Sequence, residues 1–236
     1  MKFIVKNKKI IEKNTQIENY LNRNFLKDHE LKLIEIIKKN KYPKKILDIG
    51  CANGNFIMYL SKLYKNSEIY GFDISISLVK IAKKKLSKSK NVFVKVDDIL
   101  KFKTTIKYDL IIASGILGIF DDYKKIIKKY SNLLNKGGKL YFFNSFNEKN
   151  IDTIIRFNNY DYSNQWESGI NRFSINKIKN YVNDLGFKSK FIKFNLNRNL
   201  NKSKNPINSY TVKAKKNNLI INDAGILFDF YYLCIY

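Results

Sequence analysis

Short apolar runs alternate along the chain with segments whose apolar positions recur at helical spacing. Runs that predict strands lie at residues 45–49, 67–73, 91–96, 108–114 and 139–144. Segments of helical spacing lie at residues 31–40, 56–63, 76–86, 123–134 and 174–185. This alternation predicts an α/β fold in which buried strands are connected through helices.

Three polar stretches interrupt this pattern. Residues 1–28 are rich in Asn and Lys and carry only a weak apolar periodicity. Residues 145–173 form a long polar and aromatic insertion, and segments of this length between elements are usually functional or mobile. After a strand at 187–196, residues 197–226 are predicted to carry a hairpin with strands at 210–214 and 219–221, followed by a last strand at 227–236.

The first strand runs into a turn of small residues at 50–54, before a helix that begins near Phe56. Glycines in such a turn allow positive φ angles and a close approach of the backbone to a ligand, and N–H groups at a helix start attract anionic groups. The turn does not match the dinucleotide-binding fingerprint G-x-G-x-x-G, because Ala52 and Asn55 occupy the positions of its second and third glycines. A P-loop fails because Gly54 is not followed by Lys-Ser/Thr.

The stretch Ile46-Leu47-Asp48-Ile49-Gly50-Cys51-Ala52-Asn53-Gly54 resembles the first motif of class I S-adenosylmethionine-dependent methyltransferases. Ala52 replaces the middle glycine of that motif and adds a methyl group to the turn. The resemblance implies S-adenosylmethionine as the cofactor, whereas a strand-turn-helix without a ligand is the alternative for the motif alone. The cofactor-binding residues that it implies here are Asp48, Gly50, Cys51, Ala52, Gly54 and Phe56.

Carboxylates follow the second and third predicted strands. Asp73 ends the second strand about 20 residues beyond the glycine turn, where a carboxylate can accept hydrogen bonds from both ribose hydroxyls. The resemblance assigns that role to Asp73 and places Ile74 beside the adenine ring; helix capping is the alternative for Asp73. It also implies that Asp98, with Ile99, reads the adenine amino group, although the pair Asp97 and Asp98 also suits acid–base or metal chemistry.

Further matches extend the resemblance over residues 29–236. Residues 134–140 resemble the family's link between its fourth helix and fifth strand, and Ser114, near the end of the predicted fourth strand, is a further predicted cofactor-binding residue. The family's fold is a doubly wound, mostly parallel seven-stranded sheet in the order 3-2-1-4-5-7-6, with only the last strand antiparallel and helices on both faces. We expect one methyltransferase domain over residues 1–236, in which 1–40 is a helical cap, 145–173 a lid-like insertion and 197–226 a hairpin insertion.

The acceptor side of the predicted site offers fewer signals. Enzymes of this family that methylate nucleobase or glutamine amines usually carry an Asn/Asp-Pro-Pro-aromatic motif, and the two prolines of the chain, Pro43 and Pro206, are far apart. Cytosine-C5 enzymes need a nucleophilic Cys, which neither Cys51 nor Cys234 is placed to supply. His29 is either a general base or an ordinary residue at a helix start. The predicted substrate-pocket residues are His29, Asp121, Trp166 and Glu167, and the catalytic residue stays open.

Composition limits the remaining classes. The chain has 236 residues, enough for one domain with a sizeable core, and two cysteines and one histidine, too few for a Cys/His metal cluster. We expect no bound metal. Lysines interrupt the N-terminal apolar residues before a signal-peptide core develops, and the apolar tail at 225–236 is too short to span a bilayer. We therefore expect a soluble, cytoplasmic protein without a membrane span.

The formal net charge of the chain is +25. Such a charge fits a surface for RNA, DNA or acidic glycans. It also fits a coding bias, because Lys, Asn and Ile are all heavily used and lysines occur along nearly the whole chain. Under either interpretation the charge favours anionic partners.

Together these features predict methyl transfer from S-adenosylmethionine to a hydroxyl, or to an amine, of a small molecule or sugar that is itself anionic. A tRNA or rRNA methyltransferase is the first alternative, because Tyr, Phe and Lys side chains can stack on and neutralise single strands. A binding protein that keeps the cofactor fold without catalysis is the second.

Overall fold

The computed structural model describes Tyr20 and residues 23–161, 164–214 and 218–236. Most of the predicted N-terminal cap, residues 1–19 with 21 and 22, lies outside this part, as do residues 215–217 between the two strands of the predicted hairpin. The helices are α1 Asp28–Ile37, α2 Asn55–Leu63, α3 Ile76–Lys85, α4 Tyr123–Ser131 and α5 Ile175–Asp184, with a 3-10 turn at Leu117–Ile119. The strands are β1 Lys45–Ile49, β2 Glu68–Asp73, β3 Val92–Val96, β4 Tyr108–Ser114, β5 Leu134–Asn147, β6 Arg156–Asn158, β7 Trp166–Ser168, β8 Phe173–Ser174, β9 Ser189–Lys193, β10 Tyr210–Lys213, β11 Asn218–Ile221, β12 Leu227–Phe228 and β13 Phe230–Ile235.

The central sheet has the order β3-β2-β1-β4-β5-β13-β9, which confirms the predicted order 3-2-1-4-5-7-6. Strands β3, β2, β1, β4 and β5 pair in parallel, whereas β13 runs antiparallel to both β5 and β9. The short strand β8 adds an unpredicted parallel pairing at the end of β5. Because β1 lies at the centre, the strand order reverses beside it, and ligands of open α/β sheets bind outside the carboxyl ends of the strands at that point.

Apolar side chains cover both faces of the sheet. Neighbouring residues Ile46 and Leu47 of β1 point to opposite faces and belong to two separate buried clusters. The first cluster packs α4 and α5 against one face, and the second packs α1, α2 and α3 against the other. A strand buried on both faces needs a continuous apolar run, which explains the sequence pattern of β1 and β4. The helices therefore lie on both faces, as predicted.

Three predicted boundaries are wrong. Helix α4 ends at Ser131 instead of residue 134, because the chain is already joined to β4 there: the N–H of Tyr108 donates to the carbonyl of Leu133 at 2.8 Å. Strand β5 consequently begins at Leu134, well before the predicted start at 139, and a bulge between Tyr108 and Leu110 absorbs the offset. The predicted last strand is likewise divided into β12 and β13.

The two insertions form small sheets of their own. Strands β6 and β7 pair antiparallel within the 145–173 insertion. Strands β10 and β11 pair antiparallel as the sequence predicts, and β12 extends them to a three-stranded sheet. Among the described helices none is long and apolar enough to cross a membrane.

Candidate cofactor and acceptor site

The turn between β1 and α2 is held against the end of β2. The N–H groups of Gly50 and Cys51 donate to the carbonyl of Phe72 at 2.8 and 3.1 Å. Gly50 has φ +72, and a Cβ added there would lie 2.5 Å from the side chain of Ile116. The residue at this position must therefore be small and able to adopt a left-handed conformation.

Ala52, which departs from the family motif, also adopts a left-handed conformation, with φ +48. This conformation is uncommon for a residue with a Cβ. Its N–H donates to Oδ2 of Asp73 at 2.9 Å, and this bond ties the turn to the end of β2. The extra methyl group is therefore accommodated without opening the turn.

Asp73 is 9% exposed, and its pKa is raised by burial. Besides Ala52, its carboxylate accepts the N–H of Ser75 at 2.9 Å. The N-cap of α3 is Ser75, whose hydroxyl accepts from Leu78, so Asp73 is not the capping residue of this helix. A carboxylate has about four lone-pair positions, so Asp73 retains acceptor capacity for two hydroxyl donors.

The loop after β3 is anchored from α4. The hydroxyl of Tyr130 donates to the carbonyl of Ile99 at 2.8 Å, and Lys129 Nζ donates to the same oxygen at 2.9 Å. Asp98 is half-buried, and its Oδ1 accepts the N–H of Leu100 at 2.9 Å. Its neighbour Asp97 forms an ion pair with Lys95 instead, at 2.7 Å. Adenine contact by Asp98, Ile99 and the half-buried Ile74 stays a prediction.

A cavity of about 240 Å³ adjoins the glycine turn. The predicted residues that line it are His29, Asp48, Gly50, Cys51, Ala52, Phe56 and Ser114. Sequence reasoning missed these lining residues: Tyr20, Arg23, Lys27, Glu30, Gly115, Phe143, Asn144, Ile170 and Phe230. A larger cavity of about 590 Å³ lies over β2 and β3. None of the predicted site residues line it, so we do not assign it to the cofactor.

Opposite charges meet inside the smaller cavity. Asp48 is 5% exposed, none of the hydrogen bonds among the described residues involves its carboxylate, and burial followed by the charges of Glu30 and Asp73 raises its pKa to about 8. Arg23 is 7% exposed and donates through Nη2 to Oε1 of Glu30 at 3.1 Å, whereas its Nε and Nη1 are buried and find no acceptor in the described part of the chain. Unpaired buried polar groups are costly, which indicates a ligand that supplies both an acceptor and a donor.

His29 is not an ordinary exposed helix-start residue. Its ring stacks on that of Phe143, with centroids 4.3 Å apart and planes 3° from parallel. Burial, and then the charges of Lys27 and Arg23, lower its pKa to about 3. The imidazole at the cavity wall is therefore neutral at physiological pH.

The remaining predicted substrate residues lie away from this cavity. Asp121 forms an ion pair with Arg156, while Trp166 is 59% exposed on β7 beside Glu167. The insertion instead contributes Ile170 to the cavity. A role for Asp121, Trp166 or Glu167 in the acceptor pocket stays a prediction.

The buried amide of Asn171 attaches the insertion to the loop after β4. Its Nδ2 donates to the carbonyl of Phe120 and to Asp121, each at 3.0 Å, and its Oδ1 accepts the N–H of Ile155 at 2.8 Å. Its backbone N–H donates to the carbonyl of Gly118 at 2.7 Å. These bonds hold the adjacent Ile170 at the cavity wall.

Comparisons with known proteins agree with this geometry. A family model described as a methyltransferase domain matches residues 40–206. Malonyl-[acyl-carrier protein] O-methyltransferase 1 of Ilyobacter polytropus is 34% identical over 111 residues, covering 47% of this chain and 41% of the relative. Pavine N-methyltransferase of Thalictrum flavum is 31% identical over 104 residues, covering 43% of this chain and 29% of the relative. The chain thus spans less than half the length of either curated relative.

A solved structure described as a DhpI-SAM-HEP complex shares the fold, with a TM-score of 0.65, 11% identity and coverage of 100% of this chain and 99% of the other. Because the family model covers well over half of the chain, the protein belongs to the methyltransferase domain family. Its fold and first motif make it a class I S-adenosylmethionine-dependent methyltransferase.

The residues present fit this cofactor. The amino-acid end of S-adenosylmethionine carries an ammonium and a carboxylate, which match the unpaired Asp48 carboxyl and the free Arg23 nitrogens. Asp73 would hold the ribose. Within the described residues no group of three or more His, Cys, Asp and Glu side chains is placed to hold a metal ion.

Proposed function

We propose that the protein catalyses O-methylation of a small acceptor bound beside the glycine turn. The observation that supports this proposal is the small cavity beside the glycine turn, about 240 Å³ within the lining that the described residues form. The cofactor's amino-acid end occupies part of this space, so only a small molecule, or a small tip of a larger one, fits beside it.

S-adenosylmethionine, when bound, supplies an electrophilic methyl group on a sulfonium. The residues of the chain position the reactants, and such alignment supplies much of the acceleration in a displacement reaction. His29, Phe143 and Ile170 form the wall on the acceptor side and exclude water. Ser114 at the carboxyl end of β4 and Asn144 in β5 also line the cavity, and the Asn144 Oδ1 accepts the N–H of Leu117 at 3.0 Å.

The test is transfer of tritium from methyl-labelled S-adenosylmethionine. Purified protein would be offered small hydroxy acids, sugars and carboxylic acids in one series, and tRNA and rRNA in another. The proposal predicts label in small acceptors, insensitive to salt. Label in RNA that falls steeply with salt concentration would contradict it, because phosphate contacts release counterions.

A further inference from the structure

The charges that line the cavity constrain the acceptor, provided that the proposed function is correct. Two cations, Arg23 and Lys27, face two carboxyl groups, Glu30 and Asp48. The other titratable groups in the lining are Tyr20, His29 and Cys51. With both carboxyl groups ionised the lining is neutral, so S-adenosylmethionine, which carries one net positive charge, leaves a surplus positive charge in a buried site. An uncompensated buried charge is costly, and a singly charged anion would balance it.

Both cations contact the ring of Tyr20, with the Arg23 guanidinium carbon 5.0 Å and the Lys27 Nζ 4.2 Å from its centroid, but they differ in their other partners. The carbonyl of Arg23 accepts from Asn53 Nδ2 at 3.0 Å, and its guanidinium lowers the pKa of Lys85, which contacts Asn55, so Arg23 lies at the glycine turn. After burial, the charge of Lys27 lowers the pKa of His29 more than the charge of Arg23 does. The Lys27 Nζ donates one bond, to the hydroxyl of Tyr20 at 2.8 Å, and an ammonium has three donors.

Among the described residues that line the cavity, none is an effective general base for a hydroxyl. An efficient base has a pKa near the operating pH, but that of His29 is lowered to about 3. Glu30 accepts from Arg23 at 3.1 Å and from the Lys27 N–H at 2.6 Å. Asp48, once ionised against the ammonium of the cofactor, is paired with that group and is not available as a base. An acceptor that carries no proton avoids this difficulty.

We infer that the acceptor oxygen belongs to a carboxylate, held by the Lys27 ammonium beside the stacked His29 and Phe143 rings, and that the product is a methyl ester. The carboxylate oxygen donates a lone pair to the methyl carbon, and the carbon–sulfur bond breaks with its electron pair staying on sulfur. The negative charge on oxygen and the positive charge on sulfur disappear together, and no proton is released. A doubly charged phosphate would leave one net negative charge in the site.

The first test is the chemistry of the labelled product. Wild-type protein is incubated with methyl-tritiated S-adenosylmethionine and a panel of short mono- and dicarboxylic acids, matched alcohols with CH2OH in place of the carboxyl group, and a protein-free small-molecule extract. The inference predicts label that mild alkali releases as volatile methanol, with no proton released during turnover. Alkali-stable label in an alcohol, with one proton released per turnover, would overturn the inference and leave the proposed function standing. No label in any small acceptor would overturn both.

The second test separates an acceptor contact from a cofactor contact. Lys27→Gln is expected to raise the KM for the carboxylate by about 10-fold or more, because hydrogen bonds to charged groups are strong, with S-adenosylhomocysteine affinity changed less than about threefold. Lys32→Gln is the matched control, since Lys32 lies on the same helix, is 54% exposed and pairs only with Glu35 among the described carboxylates. An equal loss of cofactor affinity in Lys27→Gln would assign Lys27 to the cofactor and overturn the inference.

Discussion

Replacement of Asp73 by Asn tests the ribose site at the end of β2. The substitution preserves size but removes the charge and one of two acceptor oxygens. In the native turn both oxygens are in use, since Oδ2 accepts from Ala52 and Oδ1 from Ser75, each at 2.9 Å. Asn can keep only one of these bonds in full, so the remaining capacity for ribose hydroxyls falls sharply.

The expected loss follows from the kind of bond. A hydrogen bond to a charged group contributes about 1.5–3 kcal/mol. Losing the equivalent of one such bond to ribose raises the Kd for S-adenosylhomocysteine roughly 10- to 150-fold. Calorimetric titration of the variant measures this directly, and titration with adenosine should show a comparable loss because the contact is to the ribose.

Asp109→Asn is the matched control. Its carboxylate also accepts two backbone N–H groups, of Lys44 and Lys45, at 2.8 and 2.9 Å, and the side chain of Asn135 at 2.8 Å. It lies near the start of β4, at the opposite end of the parallel strands from Asp73. Urea unfolding checks that each variant is folded, and only Asp73→Asn should lose cofactor affinity. A folded Asp73→Asn protein that binds S-adenosylhomocysteine as tightly as Asp109→Asn would refute the assignment.

Three further predictions concern the turn, the cavity and the loop after β3. Gly50→Ala should weaken cofactor binding far more than Gly137→Ala. Both glycines have positive φ, but an added Cβ would clash with Ile116 only at Gly50 and would meet open space at Gly137. Equal losses of affinity in titration would count against a site at Gly50. The pKa of Asp48 is raised to about 8 in the folded protein, whereas an unfolded Asp ionises near pH 4. The free energy of unfolding of the cofactor-free protein should therefore decrease as the pH rises from about 4 to about 8. Asp48→Asn should flatten that slope in urea unfolding at stepped pH and weaken cofactor binding; an unchanged slope would show that Asp48 does not titrate this way. Tyr130→Phe removes a donor to the Ile99 carbonyl and should cost about 0.5–1.5 kcal/mol of stability together with some adenosine affinity, and retention of both in unfolding and titration would mean that the bond does not position the loop.

Much of the fold was predictable because periodicity and burial agree along the sheet. Strands β1 and β4 are buried on both faces, so their sequences are continuous apolar runs that local inspection detects. The end of α4 was not predictable in the same way. Its last predicted turn is removed by pairing of Leu134 with Tyr108, a contact between residues distant in sequence.

The residues of the candidate site also differ in whether the sequence alone reveals them. Asp73 and the glycine turn belong to a compact motif with fixed spacing, and the bonds from Ala52 to Asp73 show why that spacing is needed. Arg23 and Lys27 are two of 45 lysines and arginines in the chain. Neither their residue type nor their spacing identifies them as site residues, and only the folded structure shows that they line the cavity. Ile170 reaches the cavity only through the buried amide of Asn171, which bridges two loops about 50 residues apart in sequence.

The central claim is that this chain binds S-adenosylmethionine at the turn between β1 and α2. The most direct measurement is calorimetric titration of S-adenosylhomocysteine into the purified protein, repeated with NAD under identical conditions. The account predicts micromolar binding of S-adenosylhomocysteine at one site per chain, and none of NAD. Binding of NAD, or no binding of S-adenosylhomocysteine by folded protein, would contradict it.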